Sequence, residues 1–314
     1  MAGLNGRSKL WDFYRAGGRG VNVPALRRRL LFRLATSDTY ERLVRALPPI
    51  ATAARRRALR YVAGETLDDA LAVARTLHAR GLRAAIDFFG EQVRDVAEAE
   101  RAVDGYLELA RRLSEAPPTA SVALDLSHVG QDVSAEFCLR QLERIVDALP
   151  AGRGLDVGAE DSGRIDASHQ ILVALARRGV PVQATLQANL RRSADDWPRL
   201  VEAGLGIRLV KGAYVEPERV AHRYGPATDD AYRRLARSLR AAGARVTLAT
   251  HDAALRDGLL AELGPMDVEM LLGVRPEDHA PLLARGVTPR LYVPYGRDWF
   301  RYWMRRVAES QGAG

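Results

Sequence analysis

The stretch RVTLATHDAALRDGLLAELGPMDVEMLLGV, residues 245–274, contains one complete strand–helix–strand repeat. RVTLATHD (245–252) and DVEMLLGV (267–274) are short apolar runs of the length of a buried strand, and the segment between them has its apolar residues at helical spacing. Two strands joined through a helix lie parallel in one sheet. The stretch therefore predicts a parallel sheet with helices packed on it.

The same alternation recurs from about residue 64 to the end of the chain. Eight repeats close most naturally into a barrel, and no GxGxxG follows the first strand, which disfavours a dinucleotide-binding open sheet. We therefore predict an α/β protein, a (βα)₈ TIM-like barrel over 64–314 with an N-terminal helical arm over 1–63. The other six predicted strands are RAAIDFFG (83–90), ASVALDLS (120–127), RGLDVGAE (153–160), PVQATLQA (181–188), GIRLVKGAY (206–214) and TPRLYVPYG (288–296).

The arm is strongly basic. NVPALRRRLLFRLA and TAARRRALRYVAG have the pattern of basic amphipathic helices, joined through ALPPIAT. We expect them to pack on the barrel, and the alternative left open is that they lie on a partner or a membrane surface.

Composition excludes several classes of protein. The net charge of +8 is spread over helices in which arginine alternates with acidic residues, so we expect solvated helix faces and no nucleic-acid partner. No apolar run is long enough to span a membrane, and the first thirty residues lack the continuous apolar stretch of a signal peptide, so a cytoplasmic location is expected. The single cysteine, Cys138, lies on the apolar stripe of a helix and is expected to be a buried hydrophobe. The six histidines show no ligand spacing, so no metal site is predicted.

Polar residues at the predicted strand ends mark the candidate site, because a barrel carries its chemistry at the carboxyl ends of its strands. Lys211 is conspicuous, since it is one of two lysines among 47 Lys and Arg residues. It suits either a Schiff-base amine or a fixed positive charge beside an electron-rich cofactor ring. The polar strand-end residues are Asp87, Glu91, Asp125, Ser127, Glu160, Asp161, Gln187, Lys211, Tyr214, Thr250, His251, Arg275 and Tyr292.

The last helix adds a second set of candidates. Within RDWFRYWMRRVAES the spacing i, i+3, i+4 and i+7 places four polar residues on one helix face, beside Trp299 and Trp303. Adjacent guanidinium groups against aromatic surface are suited to binding a carboxylate. The four residues are Tyr302, Arg305, Arg306 and Glu309.

Six segments, in order, resemble successive motifs of the proline dehydrogenase family. The resemblance covers about residues 64 to 310 with matched spacing. The segments are IDFFGE (86–91), AEDSGR (159–164), RLVKGAYVEP (208–217), LATHD (248–252), EMLLGVRPE (269–277) and RLYVPYGRDWFRYWMRRVAE (290–309).

This resemblance implies a distorted barrel that binds FAD, oxidises L-proline to pyrroline-5-carboxylate and passes electrons to a membrane quinone. Lys211, Tyr292, Arg305 and Arg306 would carry catalysis. The implied flavin-binding residues are Gln187, Arg208, Val210, Lys211, Gly212, Ala213, Thr250, His251 and Glu309. The implied substrate-binding residues are Asp125, Leu209, Tyr214, Tyr292, Tyr302, Arg305 and Arg306.

Two positions depart from the family pattern. Asp125 stands where the second-strand motif of the family has a lysine, and Gly158 stands where the third-strand motif has an aspartate. Asp156, two residues earlier, is an alternative source of that carboxylate. The departures suggest a substrate with an extra basic nitrogen or another amine. Two further alternatives stay open at this point: a lysine Schiff-base lyase on the same barrel, and an inactive basic adaptor.

Overall fold

Eight short strands form a closed parallel barrel in the computed structural model, which describes residues 38–90 and 92–310. Each strand pairs in parallel with the next, and β8 pairs with β1 through the register Ala85 to Tyr292 and Asp87 to Pro294. The predicted (βα)₈ barrel and its eight strands are confirmed. The strands are β1 (Arg83–Phe88), β2 (Ser121–Leu124), β3 (Leu155–Val157), β4 (Val182–Gln187), β5 (Gly206–Val210), β6 (Val246–Ala249), β7 (Asp267–Leu271) and β8 (Pro289–Tyr295).

The described helices surround and precede these strands. Side chains that accept backbone N–H groups start several of them; Thr66 and Asp69, for example, form a reciprocal capping box at α3. The helices are α1 (Asp38–Ala46), α2 (Pro48–Ala58), α3 (Leu67–Ala79), α4 (Val96–Arg112), α5 (Ala135–Asp147), α6 (Ile165–Ala176), α7 (Ser193–Glu202), α8 (Pro226–Ala241), α9 (Ala253–Leu263), α10 (His279–Ala284) and α11 (Trp299–Ser310).

The apolar core of the barrel unit gathers strand and helix residues. Ile86, Val122 and Leu209 on the strands are fully buried in the same cluster as Leu142 of α5 and Tyr232 of α8. Burial of this apolar surface is the main force that holds the helices on the barrel. Cys138 belongs to the same cluster, so the prediction that it is a buried hydrophobe is confirmed, and burial raises the pKa of its thiol above the ordinary range.

The interior of the barrel is polar. Asp156 of β3 accepts a hydrogen bond of 2.8 Å from Arg290 of β8, and Arg208 of β5 donates one of 2.6 Å to Glu269 of β7. Because these pairs join strands that are not neighbours, the contacts cross the inside of the barrel. Asp156 is therefore buried inside the barrel and paired with Arg290 there.

The described chain divides into two compact units, the barrel (63–296) and a helical unit made of 38–62 and 297–310. In the helical unit the rings of Tyr40 and Phe300 lie 5.9 Å apart, so α11 groups with the N-terminal helices. Residues 1–37 of the predicted arm lie outside the described residues, and the division at residue 63 stays a prediction. Within 38–90 and 92–310, no helix combines the length and the hydropathy needed to cross a bilayer.

Candidate active site

The mouth of the barrel is defined here as the carboxyl ends of the strands with the loops that follow them. Asp87 of β1 accepts hydrogen bonds there from the hydroxyls of Tyr292 on β8 and of Tyr106 on α4, the latter at 2.8 Å. Burial raises the pKa of Asp87 to about 6, although both hydrogen bonds and the positive charge of Arg208 oppose the rise. The hydroxyl of Tyr292 is therefore fixed by a buried carboxyl group.

A histidine in the segment after β2 contacts the Tyr106 hydroxyl. The Tyr106 hydroxyl lies 2.8 Å from the carbonyl of Phe88 and 3.3 Å from His128 Nδ1. Burial lowers the pKa of His128 to about 4, so the imidazole is neutral at neutral pH. A Cβ at position 90 would collide with the His128 ring, which explains the glycine there. Glu91, the last residue of that predicted motif, lies outside the described residues.

Hydrogen bonds then link the ends of the first four strands in order. Gln92 N donates to Ser127 Oγ at 2.8 Å, and Ser127 Oγ donates to Glu160 Oε1 at 2.7 Å. Gln187 Nε2 of β4 donates to the carbonyl of Glu160 at 3.1 Å. Three strand-end residues of the sequence analysis, Ser127, Glu160 and Gln187, are thus brought together.

Two of the sequence motifs also meet directly. The backbone N–H and the hydroxyl of Ser162, in AEDSGR, each donate a 2.7 Å hydrogen bond to Glu216, in RLVKGAYVEP. Ser162 and Glu216 are 54 residues apart in the chain. Their contact fixes the loop after β3 to the loop after β5.

Lys211, which directly follows β5, is held by two carboxylates. Its Nζ lies 2.6 Å from Asp229 Oδ1 of α8 and donates a hydrogen bond of 2.9 Å to Asp252 Oδ2 after β6. Burial would raise the pKa of Asp252, but the hydrogen bonds from Lys211 and from the N–H of Leu255 hold it below its usual range. The arrangement fits a fixed positive charge.

The sixth strand contributes two of the predicted flavin residues. Thr250 is buried, and its hydroxyl oxygen accepts the N–H of Asp252 at 3.2 Å. His251 Nε2 accepts the backbone N–H of Leu271 on β7 at 3.0 Å. Since that nitrogen is an acceptor, a neutral His251 carries its proton on Nδ1.

The residues around β4 and β5 fit a flavin. Gln187 Oε1 and Asn189 Oδ1 are buried and have no hydrogen-bond partner among residues 38–90 and 92–310, so each can accept a ligand N–H. Gly212 has φ +109°, and a Cβ there would collide with Asn189. A planar ring with polar edges, bound beside the charge of Lys211, would supply N–H donors to these two oxygens.

The other predicted residues of β5 occupy different environments. Arg208 donates to Thr185 Oγ1 at 2.8 Å and to Glu269, inside the barrel. Leu209 is fully buried in the apolar core. Val210 and Tyr214 are half-buried, and Ala213 is exposed. Their roles toward flavin and substrate stay predictions.

The four candidates on α11 belong to the helical unit. Tyr302 is buried, and the guanidinium carbon of Arg306 lies 5.0 Å from the centre of its ring. The side chains of Arg305 and Glu309 lie outside the described residues. The assignment of this face to substrate and flavin stays a prediction.

Three residues of the mouth and the barrel interior were missed by the sequence analysis. Tyr106 occupies an apolar position of α4, where the pattern is that of any buried tyrosine. Glu269 falls inside EMLLGVRPE, but its partner Arg208 is 61 residues away. Asp229, in TDDAYRR, had a usable signal, because it is an acidic residue in the first turn of the helix that follows the loop of Lys211.

Comparisons with known proteins identify the family of the chain. The model of the family described as proline dehydrogenase matches residues 70–313. Proline dehydrogenase 1 of Bacillus subtilis is 32% identical over 263 residues, covering 81% of this chain and 87% of that protein. Proline dehydrogenase of Deinococcus radiodurans is 32% identical over 297 residues, covering 89% of this chain and 94% of that protein.

Solved structures of proline utilization A are also similar. The protein of Bdellovibrio bacteriovorus superposes with a TM-score of 0.77 at 19% identity, covering 92% of this chain and 36% of that one. A mutant of the Bradyrhizobium japonicum protein superposes with a TM-score of 0.68 at 26% identity, covering 87% of this chain and 33% of that one. The chain thus spans about a third of the length of these solved relatives.

Proposed function

The chain belongs to the proline dehydrogenase family, and on this premise we propose that it oxidises L-proline to pyrroline-5-carboxylate with FAD. The observation that carries the proposal is the match over residues 70–313, whose separated motifs meet at the mouth of the barrel. The reaction breaks a C–H bond next to the ring nitrogen, releases the N–H proton and forms a C=N bond. FAD, when bound, accepts the hydride.

Lys211 would supply the main electrostatic assistance. Reduction adds negative charge to the flavin ring, and a cation already fixed by Asp229 and Asp252 needs no rearrangement to stabilise that charge. Gln187 and Asn189 would accept N–H groups of the cofactor, and Gly212 leaves the space that the Asn189 side chain occupies. The remaining proposed flavin residues are Arg208, Val210, Ala213, Thr250, His251 and Glu309.

The substrate would be held by its carboxylate and its ring. Adjacent guanidiniums, Arg305 and Arg306, suit the carboxylate, because planar forks bind it bidentately. Tyr292, whose hydroxyl Asp87 fixes, would cover the ring together with Tyr302. Tyr214 would shape the rest of the wall, whereas Leu209 is fully buried in the apolar core. Holding the reacting carbon in one orientation is the principal contribution of these groups to the rate.

The alternative functions raised by the sequence, namely a Schiff-base lyase, a different amine substrate and an inactive adaptor, do not hold. A Schiff-base lysine must present a neutral amine to a carbonyl, whereas Lys211 Nζ is engaged by two carboxylates. The family assignment also favours proline over a differently built amine and over an inactive adaptor.

We further propose a quinone acceptor reached at the inner face of the cell membrane. Leu43, Leu47 and Ile50 are exposed large apolar residues of the helical unit, and Arg55, Arg56 and Arg57 follow on α2. Apolar and basic residues together suit an anionic membrane surface. Sedimentation with vesicles containing anionic lipid tests this: binding should fall as salt rises, and no binding at low salt would contradict it.

Turnover with an artificial acceptor tests the proposed reaction. The FAD-loaded protein should convert L-proline to a product that o-aminobenzaldehyde traps as the pyrroline adduct. D-proline should be turned over far more slowly. A site that fixes the carboxylate orients the reacting C–H bond of only one enantiomer toward the flavin. Replacement of Arg306 by Lys should raise KM by about tenfold or more, because bidentate binding is lost. An absence of pyrroline product from L-proline would contradict the proposal.

A further inference from the structure

Asp125 and Gly158 compete for one volume at the mouth of the barrel. Asp125 directly follows β2, Gly158 directly follows β3, and Gly158 N donates a 2.9 Å hydrogen bond to the carbonyl of Leu124. A Cβ at position 158 would lie 3.0 Å from Asp125 Cγ and closer still to Oδ1, inside the distance that real Cβ atoms show. Any side chain at 158 would therefore displace the Asp125 carboxylate or the strand end.

The two departures from the family pattern are consequently one coupled change. The third-strand aspartate of the family cannot coexist with Asp125 in its observed position, because both would need the same space. A carboxylate is still present at the ends of β2 and β3. It belongs to Asp125 after β2, whereas in the family pattern it follows β3. What is lost is the positive charge of the second-strand lysine.

Asp125 lies at the mouth of the barrel, directly after β2. Its carboxylate is half-buried and does not cap the short helix that it precedes (Leu126–Val129). It interacts electrostatically with Arg208 inside the barrel and with Tyr106, the partner of Asp87. The negative charge of Asp125 therefore acts both on Arg208 inside the barrel and on the tyrosine that bonds to Asp87.

We propose that Asp125 and Gly158 form a specificity-determining pair in which the Asp125 carboxylate accepts a hydrogen bond from the ring ammonium of the substrate. The inference rests on the proposed oxidation of proline. The amine of free proline is protonated at neutral pH, and a partly buried carboxylate binds an N–H donor more strongly than a neutral acceptor does. Gly158 keeps that carboxylate in place by leaving its volume empty.

A pair of ligands that differ only at the ring heteroatom tests the recognition. L-proline offers N–H donors, whereas tetrahydrofuran-2-carboxylate has an ether oxygen that repels a carboxylate. Asp125→Asn should weaken proline binding by about tenfold and leave binding of the ether unchanged or stronger. Asp104→Asn, at an exposed position of α4, is the control and should change neither. Equal effects of Asp125→Asn on both ligands would overturn the recognition.

The steric coupling has a separate test. Gly158→Ala should raise KM for proline and lower the thermal unfolding midpoint in the wild-type background, because the new methyl group displaces Asp125. In an Asp125→Ala background the same substitution should have little further effect on either quantity. Equal effects in both backgrounds would overturn the pair. If the wild-type protein binds no proline, the proposed function fails, while the unfolding midpoints still decide whether the two residues are coupled.

Discussion

Lys211 Nζ lies 2.6 Å from Asp229 Oδ1, and this contact joins the loop after β5 to the helix that follows it. A second carboxylate, Asp252, receives a hydrogen bond from the same nitrogen at 2.9 Å. One lysine therefore connects β5, α8 and the end of β6. The ammonium group is fixed before any ligand arrives, which is the condition for efficient electrostatic stabilisation of a charge that forms later.

Replacement of Lys211 by Met should slow reduction of the bound flavin by proline on the order of 100-fold, because the reduced ring loses its fixed cation. The midpoint potential of the flavin should fall. Stopped-flow absorbance and a potentiometric titration measure the two quantities. Lys211→Arg is the control that keeps the charge, and it should retain most of the potential. An unchanged potential in Lys211→Met would contradict the assigned role.

Tyr292 and Tyr106 form a matched pair, since each hydroxyl bonds to Asp87. Tyr292→Phe should lower kcat/KM for proline by about tenfold, because the aromatic wall of the substrate site loses its anchor. Tyr106→Phe removes an equivalent hydrogen bond from the side of α4 and should change stability more than KM. Steady-state kinetics on both variants decide the point. If the two variants shift KM equally, Tyr292 has no special contact with the substrate.

The raised pKa of Asp87 has a consequence for stability. Its pKa is about 6 in the folded protein against an ordinary value of 3.8, so the folded state binds the proton more tightly. The resulting stabilisation is present below the ordinary pKa and is lost as pH rises through about 6. Between about pH 4 and pH 7, the wild-type free energy of unfolding should therefore fall by about 2 kcal/mol relative to Asp87→Asn.

Urea unfolding at several pH values measures this difference. Asp104→Asn, an exposed position on α4, is the control and should follow the wild type at every pH. A constant difference between Asp87→Asn and the wild type would show that Asp87 does not exchange its proton in this range.

Glu269 is the buried partner of Arg208 inside the barrel, with 4% of its side chain exposed. Glu269→Gln should lower the free energy of unfolding by about 3 kcal/mol or more, because the guanidinium is left without its buried counter-charge. Glu262→Gln breaks the exposed pair with Arg237 and should cost less than about 1 kcal/mol. Similar losses in the two variants, measured in urea, would mean that the interior pair is no stronger than a surface one.

The sequence predicts the barrel because the strand and helix periods alternate eight times, and each period depends on local residues only. The strand-end position of Lys211 follows from the same pattern. Its partner Asp229 and the pair of Arg208 with Glu269 do not, since barrel closure brings together residues that no local pattern links. The collision between Asp125 and a side chain at 158 is equally invisible, because both positions read as ordinary strand ends.

Reduction of the bound flavin by proline underlies every role proposed for these residues. Anaerobic titration of the FAD-loaded protein with L-proline, followed by visible absorbance, measures this reduction. The oxidised flavin band should bleach with a saturable dependence on proline, and tetrahydrofuran-2-carboxylate should cause no bleaching. A flavin band that stays unchanged at saturating proline, or a protein that binds no FAD, would show that the chain does not oxidise proline.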